Sequence, residues 1–167
     1  ALTADGSGYE VLYIEAGGYR NISSEETLSL REYPDGSKRN RENLSMDGME
    51  VFNFTMREVP KDIKNLLQKA DMDESKVDYI ILHQANKLMT DFFLKKLKIP
   101  KGKAPYSMER FGNTSAVSIP LTMVSELSKQ LKQEKLTLLL SGFGGGLSWG
   151  SAIINTSNVT VPGIEEV

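Results

Sequence analysis

One histidine occurs in the whole chain, His83. It closes the apolar run Val77-Asp78-Tyr79-Ile80-Ile81-Leu82 and opens the tetrapeptide His83-Gln84-Ala85-Asn86. An imidazole titrates near neutral pH, so acid–base or electrophilic chemistry in this chain would fall to this residue. The carboxyl end of a buried strand is where open α/β sheets gather ligands. A hydrogen-bonded structural imidazole fits the same position. The second feature is the glycine turn Gly142-Phe143-Gly144-Gly145-Gly146 after the apolar run Leu136–Leu140. Glycine there serves a tight turn, or a close approach of backbone to a ligand.

Several motif readings fail on context. Gly146-Leu147-Ser148-Trp149-Gly150 fits the pattern G-x-S-x-G. A nucleophile elbow needs a helix after the serine and a histidine later in the chain, whereas 151–154 has strand composition and His83 comes first. No Gly-Lys-Ser/Thr phosphate loop and no G-x-G-x-x-G fingerprint is present. The triplet Asn-x-Ser/Thr occurs at Asn21, Asn43, Asn53, Asn113, Asn155 and Asn158. With no secretory signal at the start of the sequence, these are expected to be chance matches.

Composition narrows the function classes. The 167 residues suit one ordinary domain, expected to hold a single core. The absence of cysteine excludes disulfides, thiolate metal ligands and a cysteine nucleophile from this chain, and fits a reducing cytoplasm. A lone histidine is too few ligands for a zinc site, so no metal is expected. A net charge of -2 argues against nucleic-acid binding. No apolar stretch approaches the length of about 18 residues that a membrane span needs.

The elements that must position these residues follow from periodicity. Tyr9–Ile14 reads as a strand stopped by Gly17-Gly18, and 19–45 reads as a long polar loop excursion with a turn at Pro34-Asp35-Gly36. Val51, Phe52, Met56, Val59, Ile63, Leu66, Leu67 and Ala70 recur at helical spacing behind Asp47 as N-cap, with Pro60 expected to kink or split the helix. The strand 77–82 is followed by a helix from Asn86 to Lys98 with an apolar stripe of Leu88, Met89, Phe92, Phe93 and Leu97. Tyr106-Ser107-Met108 reads as a short strand. The turn Gly112-Asn113-Thr114 leads into a helix carrying Val117, Leu121, Val124, Leu127 and Leu131 on one face. Strands at 136–141 and 148–154 complete the core, and 155–167 reads as a surface tail. The order β-α-β-α-β-α-β-β implies an α/β fold with a mixed, mainly parallel sheet covered by helices. His83, Asn113 and the turn at Gly144–Gly146 would then gather at one sheet edge.

Three segments carry a family resemblance. They are His83-Gln84-Ala85-Asn86, Arg110-Phe111-Gly112-Asn113-Thr114-Ser115-Ala116, and Phe143-Gly144-Gly145-Gly146-Leu147-Ser148-Trp149-Gly150-Ser151, together with Gly48-Met49-Glu50-Val51-Phe52. In order and spacing the chain resembles the C-terminal half of β-ketoacyl-acyl-carrier-protein synthase III. The resemblance implies a thiolase-like fold made of two similar halves. It also implies an acyltransferase that condenses an acyl-coenzyme A primer with malonyl-acyl carrier protein, with loss of carbon dioxide, in fatty acid biosynthesis. His83 and Asn113 match the family's catalytic pair, whose N–H donors stabilise the enolate that forms on decarboxylation. Phe143, Gly144, Gly145 and Gly146 match the oxyanion and substrate loop. Gln84, Ala85, Asn86, Lys87, Leu88, Lys95 and Lys96 match positions that meet coenzyme A or the carrier protein. No cofactor is implied beyond the coenzyme A and carrier thioesters, which are substrates. The family's cysteine lies in the N-terminal half, so this chain alone is expected to be inactive in condensation. Its implied partners are that half, acyl-coenzyme A, the acyl carrier protein and, for the whole protein, a second copy. Many family members carry arginine where this chain has Leu88. A non-catalytic acyl-thioester-binding or partner subunit of the same fold is the alternative.

Overall fold

The computed structural model describes residues 1–165. In chain order its elements are β1 (Leu2–Ala4), β2 (Leu12–Ile14), α1 (Glu25–Leu28), β3 (Arg31–Glu32), β4 (Lys38–Arg39), β5 (Leu44–Met46), α2 (Gly48–Lys69), β6 (Tyr79–Leu82), α3 (Lys87–Leu97), α4 (Met108–Phe111), α5 (Ser118–Glu126), α6 (Ser128–Gln133), β7 (Lys135–Gly144) and β8 (Ser148–Ser157). The chain folds as two compact units. The larger takes in Ala1–Thr3, Phe52–Phe143 and the part from Trp149 onward, and the smaller takes in Ala4–Val51 and Gly144–Ser148. No helix among the described residues is long and apolar enough to cross a membrane.

The larger unit is built on a four-stranded sheet in the order β1-β8-β7-β6. The unbroken apolar run Ile80-Ile81-Leu82 makes β6 a strand buried on both faces, and it pairs in parallel with β7, Ile80 opposite Leu139 and Leu82 opposite Ser141. β7 returns as β8 through a short connection, which forces an antiparallel pair, so the expected mixed α/β sheet is present. Two apolar clusters cover its faces. Val59, Ile63 and Leu67 of α2 meet Met89, Phe93, Leu94 and Leu97 of α3 over Ile80, Leu82 and Leu139. Leu127, Leu131, Leu136, Leu138 and Val161 gather around Ile81. Fully burying side chains of this size stabilises by roughly 1.5–3 kcal/mol each.

Several elements differ from their sequence reading. The first half of the segment 9–14 belongs to a 3₁₀ turn over Gly6–Val11. Only Leu12–Ile14 is strand, paired with β5 and not with the main sheet. The polar stretch 19–45 is organised rather than loose. It holds α1, the β3–β4 hairpin over the Asp35-Gly36 turn, and a network in which Ser23 and Thr27 each donate to Glu42 at 2.6 Å. Those hydroxyls, Ser23 first, hold the Glu42 carboxyl below its ordinary range. Tyr106-Ser107-Met108 is not a strand, because Ser107 leads into α4. The stretch 155–167 is not merely a surface tail: β8 continues to Ser157, Val159 N–H donates to Leu131 O and Val161 is buried, residues 166–167 lying outside the described residues.

Asp47 caps α2 as expected, accepting from Met49 and Glu50 N–H at 3.0 Å. Pro60, however, does not split the helix, which is unbroken from Gly48 to Lys69. A proline deprives the carbonyl four residues back of its donor, and here that carbonyl, Met56 O, accepts Lys96 Nζ at 3.1 Å. The stripe of α3 is also rotated from expectation. Met89, Phe93, Leu94 and Leu97 are buried, while Leu88 is 67% and Phe92 39% exposed. The helix expected after Thr114 breaks at Leu127 into α5 and α6, and it buries Ser118 and Thr122 while leaving Val117 exposed.

Candidate active site

His83 is the first residue past β6, and its N–H donates to Ser141 O at 2.8 Å, continuing the parallel ladder for one more step. Its ring is half-buried, with Phe143 edge-on at 5.1 Å between centroids and Phe93 behind Phe143 at 6.0 Å. Nδ1 lies 2.7 Å from Ser118 Oγ. Burial pushes the imidazole below its ordinary pKa, with the Ser115 main chain beside the ring opposing that shift. The ring is therefore neutral at pH 7 and carries one N–H.

Asn113 stands in the exposed loop between α4 and α5, after Gly112, which adopts a positive φ of 66°. Its side-chain oxygen accepts the Ser115 N–H at 2.9 Å. A main-chain N–H only donates, so the atom facing it is Oδ1, and the amide NH₂ is the end left for a ligand. Ser115 thus touches both residues, its N–H donated to Asn113 Oδ1 and its carbonyl facing the His83 ring, where it favours the protonated imidazole. Ser115 is itself held at a positive φ of 53°. Backbone strain of this kind in a non-glycine residue collects at functional sites.

The glycines that follow Phe143 belong to the smaller unit. Gly146 has φ of 132°, and a side chain there would collide with Ser148. A Cβ on Gly145 would sit 3.1 Å from Leu12 O, so any larger residue requires the Leu12 carbonyl to give way by a few tenths of an ångström. Asp5 and Leu147 exchange main-chain hydrogen bonds at 2.8 and 3.0 Å, which fixes the turn and buries Leu147.

The remaining predicted positions divide by what they touch. Gln84 is 1% exposed and its amide is occupied at both ends, donating to Leu82 O at 2.8 Å and accepting from Ser107 N–H at 3.2 Å. Ala85 closes a turn onto His83 O, and Asn86 caps α3 by accepting from Met89 N–H at 2.8 Å. Lys87 pairs with Glu109 at 3.1 Å beside the Tyr106 ring. Lys95 and Lys96 lie in the last turn of α3, and Lys96 reaches Met56 O over the Phe92 ring. Further along the basic run, Lys101 pairs with Asp91 and Lys103 donates to Val77 O. Ser118 and Thr122 belong to the cluster around His83 without a motif of their own. Their signal is a pair of small polar residues at i, i+4 on the buried face of an apolar helix, where each hydroxyl must find a partner.

Comparison with known proteins decides the family. Residues 67–156 match the family described as 3-oxoacyl-[acyl-carrier-protein] synthase III C terminal. The chain belongs to this synthase III family. It is 38% identical over 147 residues to a beta-ketoacyl-[acyl-carrier-protein] synthase III of Streptococcus pyogenes, covering 87% of this chain and 45% of that protein. To the enzyme of that name in Lactococcus lactis subsp. lactis it is 44% identical over 115 residues, covering 68% of this chain and 35% of the relative. Among solved structures, the 3-oxoacyl-(acyl-carrier protein) synthase of Burkholderia xenovorans superposes with a TM-score of 0.85 at 36% identity, over 99% of this chain and 46% of that one. The chain therefore spans less than half the length of these synthase III relatives, and its thiolase-like α/β fold is that of their matching part.

Proposed function

We propose that this chain is the C-terminal half of a synthase III that condenses an acyl primer with malonyl-acyl carrier protein, and that it supplies the two donors for decarboxylation. The observation that carries this reading is that Ser115 meets both residues, its N–H on Asn113 Oδ1 and its carbonyl facing the His83 ring, whose Nδ1 lies 2.7 Å from Ser118 Oγ. In the proposed sequence, a cysteine in the rest of the protein takes the acyl group from coenzyme A, whose thiol leaves. The carboxylate of malonyl-carrier then departs as carbon dioxide, and its electron pair delocalises onto the thioester oxygen. His83 and Asn113 donate hydrogen bonds to that enolate oxygen, where fixed donors in a dry site act most strongly. The enolate carbon attacks the acyl-cysteine thioester, the thiolate departs, and the 3-oxoacyl-carrier product is released. Main-chain N–H groups at the turn Gly144–Gly146 suit the second oxyanion.

This chain has no cysteine, so by itself it has no nucleophile for acyl transfer and is inactive in condensation. The proposed partners are the N-terminal half, the carrier protein and a second copy of the whole protein, acting in the cytoplasm without a bound cofactor. For the carrier, the support is the outward line of α3: Leu88 and Phe92 are exposed, with Lys87 and Lys95 on either side. The test is His83→Ala in the protein that carries both halves. Condensation should fall by about 10²–10³, as for loss of one oxyanion donor. An unchanged rate refutes the role of His83 and favours a non-catalytic thioester-binding subunit.

A further inference from the structure

We propose that Ser118 is the positioning residue that sets the ring tautomer of His83, giving its hydroxyl proton to Nδ1 so that the N–H is carried on Nε2. This deepens the reading of His83 as a hydrogen-bond donor and rests on it for its importance. The geometry is local. Ser118 is 1% exposed and opens α5, and its Oγ lies 2.7 Å from Nδ1. The same oxygen accepts the Gln84 N–H at 3.3 Å.

A serine hydroxyl has one proton to give and two lone pairs to receive with. The Gln84 N–H takes one lone pair. Among the described residues Ser118 Oγ makes no other hydrogen bond, so its proton has the ring nitrogen as acceptor. Were Nδ1 protonated instead, ring and peptide would both donate to Oγ. The buried hydroxyl proton would then have no acceptor, which costs the unmade hydrogen bond. The Ser118 backbone is fixed where its carbonyl accepts the Thr122 hydroxyl at 2.7 Å, Thr122 being bonded in turn to Ser107 at 2.6 Å, and Oγ is held by Nδ1 and the Gln84 N–H. Two serines thus orient the two donors: the Ser115 N–H fixes the Asn113 amide, and the Ser118 hydroxyl fixes the His83 imidazole.

The chain has a single histidine, so histidine-selective ¹⁵N labelling of the 167-residue chain yields one imidazole. Two-bond proton–nitrogen spectra are recorded at about pH 8, above the ordinary histidine pKa. The expected result is a protonated Nε2 and an unprotonated Nδ1. In Ser118→Ala the two nitrogen resonances should move toward one another as the second tautomer is populated, and Ser118→Thr should restore the separation. A protonated Nδ1 in the unaltered chain overturns the proposal, and so does a Ser118→Ala spectrum identical to it. If Ser118→Ala does not fold, the unaltered chain still decides the direction of the proton. No substrate enters this measurement. Normal condensation by His83→Ala would therefore refute the proposed function while leaving the tautomer result standing.

Discussion

At the scale of single residues, the proposed site is two nitrogen-bearing side chains, each oriented by a hydrogen bond at its other end. His83 has its Nδ1 against Ser118, and Asn113 has its Oδ1 against Ser115 N–H. Burial holds the His83 pKa below 6.5, so the folded state resists a proton that the unfolded chain accepts. The sign follows from linkage: where the unfolded state binds more protons, stability rises with pH. The His83 contribution is therefore complete above about pH 6.5 and is lost as the pH falls through the depressed folded value. His83→Gln should flatten the pH dependence of the urea midpoint between about pH 7 and pH 5, and leave the slope above pH 7 unchanged. Superimposable slopes throughout would contradict a buried neutral ring. The importance of His83 was legible because it is unique and ends an apolar strand. Its partner Ser118 was not, because a serine on a helix face carries no sign of burial until the neighbouring loop is placed.

At the scale of elements, α2 and α3 show why periodicity reads a helix more easily than its partners. Pro60 reads as a break because the interrupted ladder is visible in the sequence, whereas the donor that repairs it comes from Lys96, 36 positions away in numbering. If that repair is real, Lys96→Ala should destabilise by about 0.5–1 kcal/mol in the native chain, a charged hydrogen bond discounted for exposure. In a Pro60→Ala background, where the helix makes its own bond, the cost should vanish. Urea unfolding of the four proteins gives this coupling directly, and equal costs in both backgrounds would contradict it. The same bond makes Lys96 a poor probe of carrier docking. Lys95→Glu is the cleaner change: association with an acidic carrier should slow at low salt and recover as salt screens the charge. A rate indifferent to both would remove Lys95 from the docking face. The rotated stripe of α3 has a plain cause. Leu88, Met89, Phe92 and Phe93 present two adjacent i, i+4 lines, and the sequence alone cannot tell which one the sheet covers.

At the scale of the molecule, two compact units stand where the composition suggests one core. The apolar strands at 77–82, 136–141 and 148–154 are legible because short apolar runs bounded by turn residues are a direct strand signal. The smaller unit is not, because Glu42, Arg41 and the α1 cap hold it by polar contacts, and polar sequence reads as loop. Family membership supplies what neither scale could: the chain matches a C-terminal family and spans less than half the length of its synthase III relatives. The central claim is that His83 and Asn113 serve the decarboxylation step alone. The most direct measurement follows two events separately in the protein that carries both halves: transfer of a labelled acyl group from coenzyme A to the enzyme, and release of labelled carbon dioxide from malonyl-carrier. The account predicts that His83→Ala and Asn113→Ala each leave acyl transfer within about twofold and slow carbon dioxide release by about 10²–10³. Loss of acyl transfer with carbon dioxide release intact would contradict it.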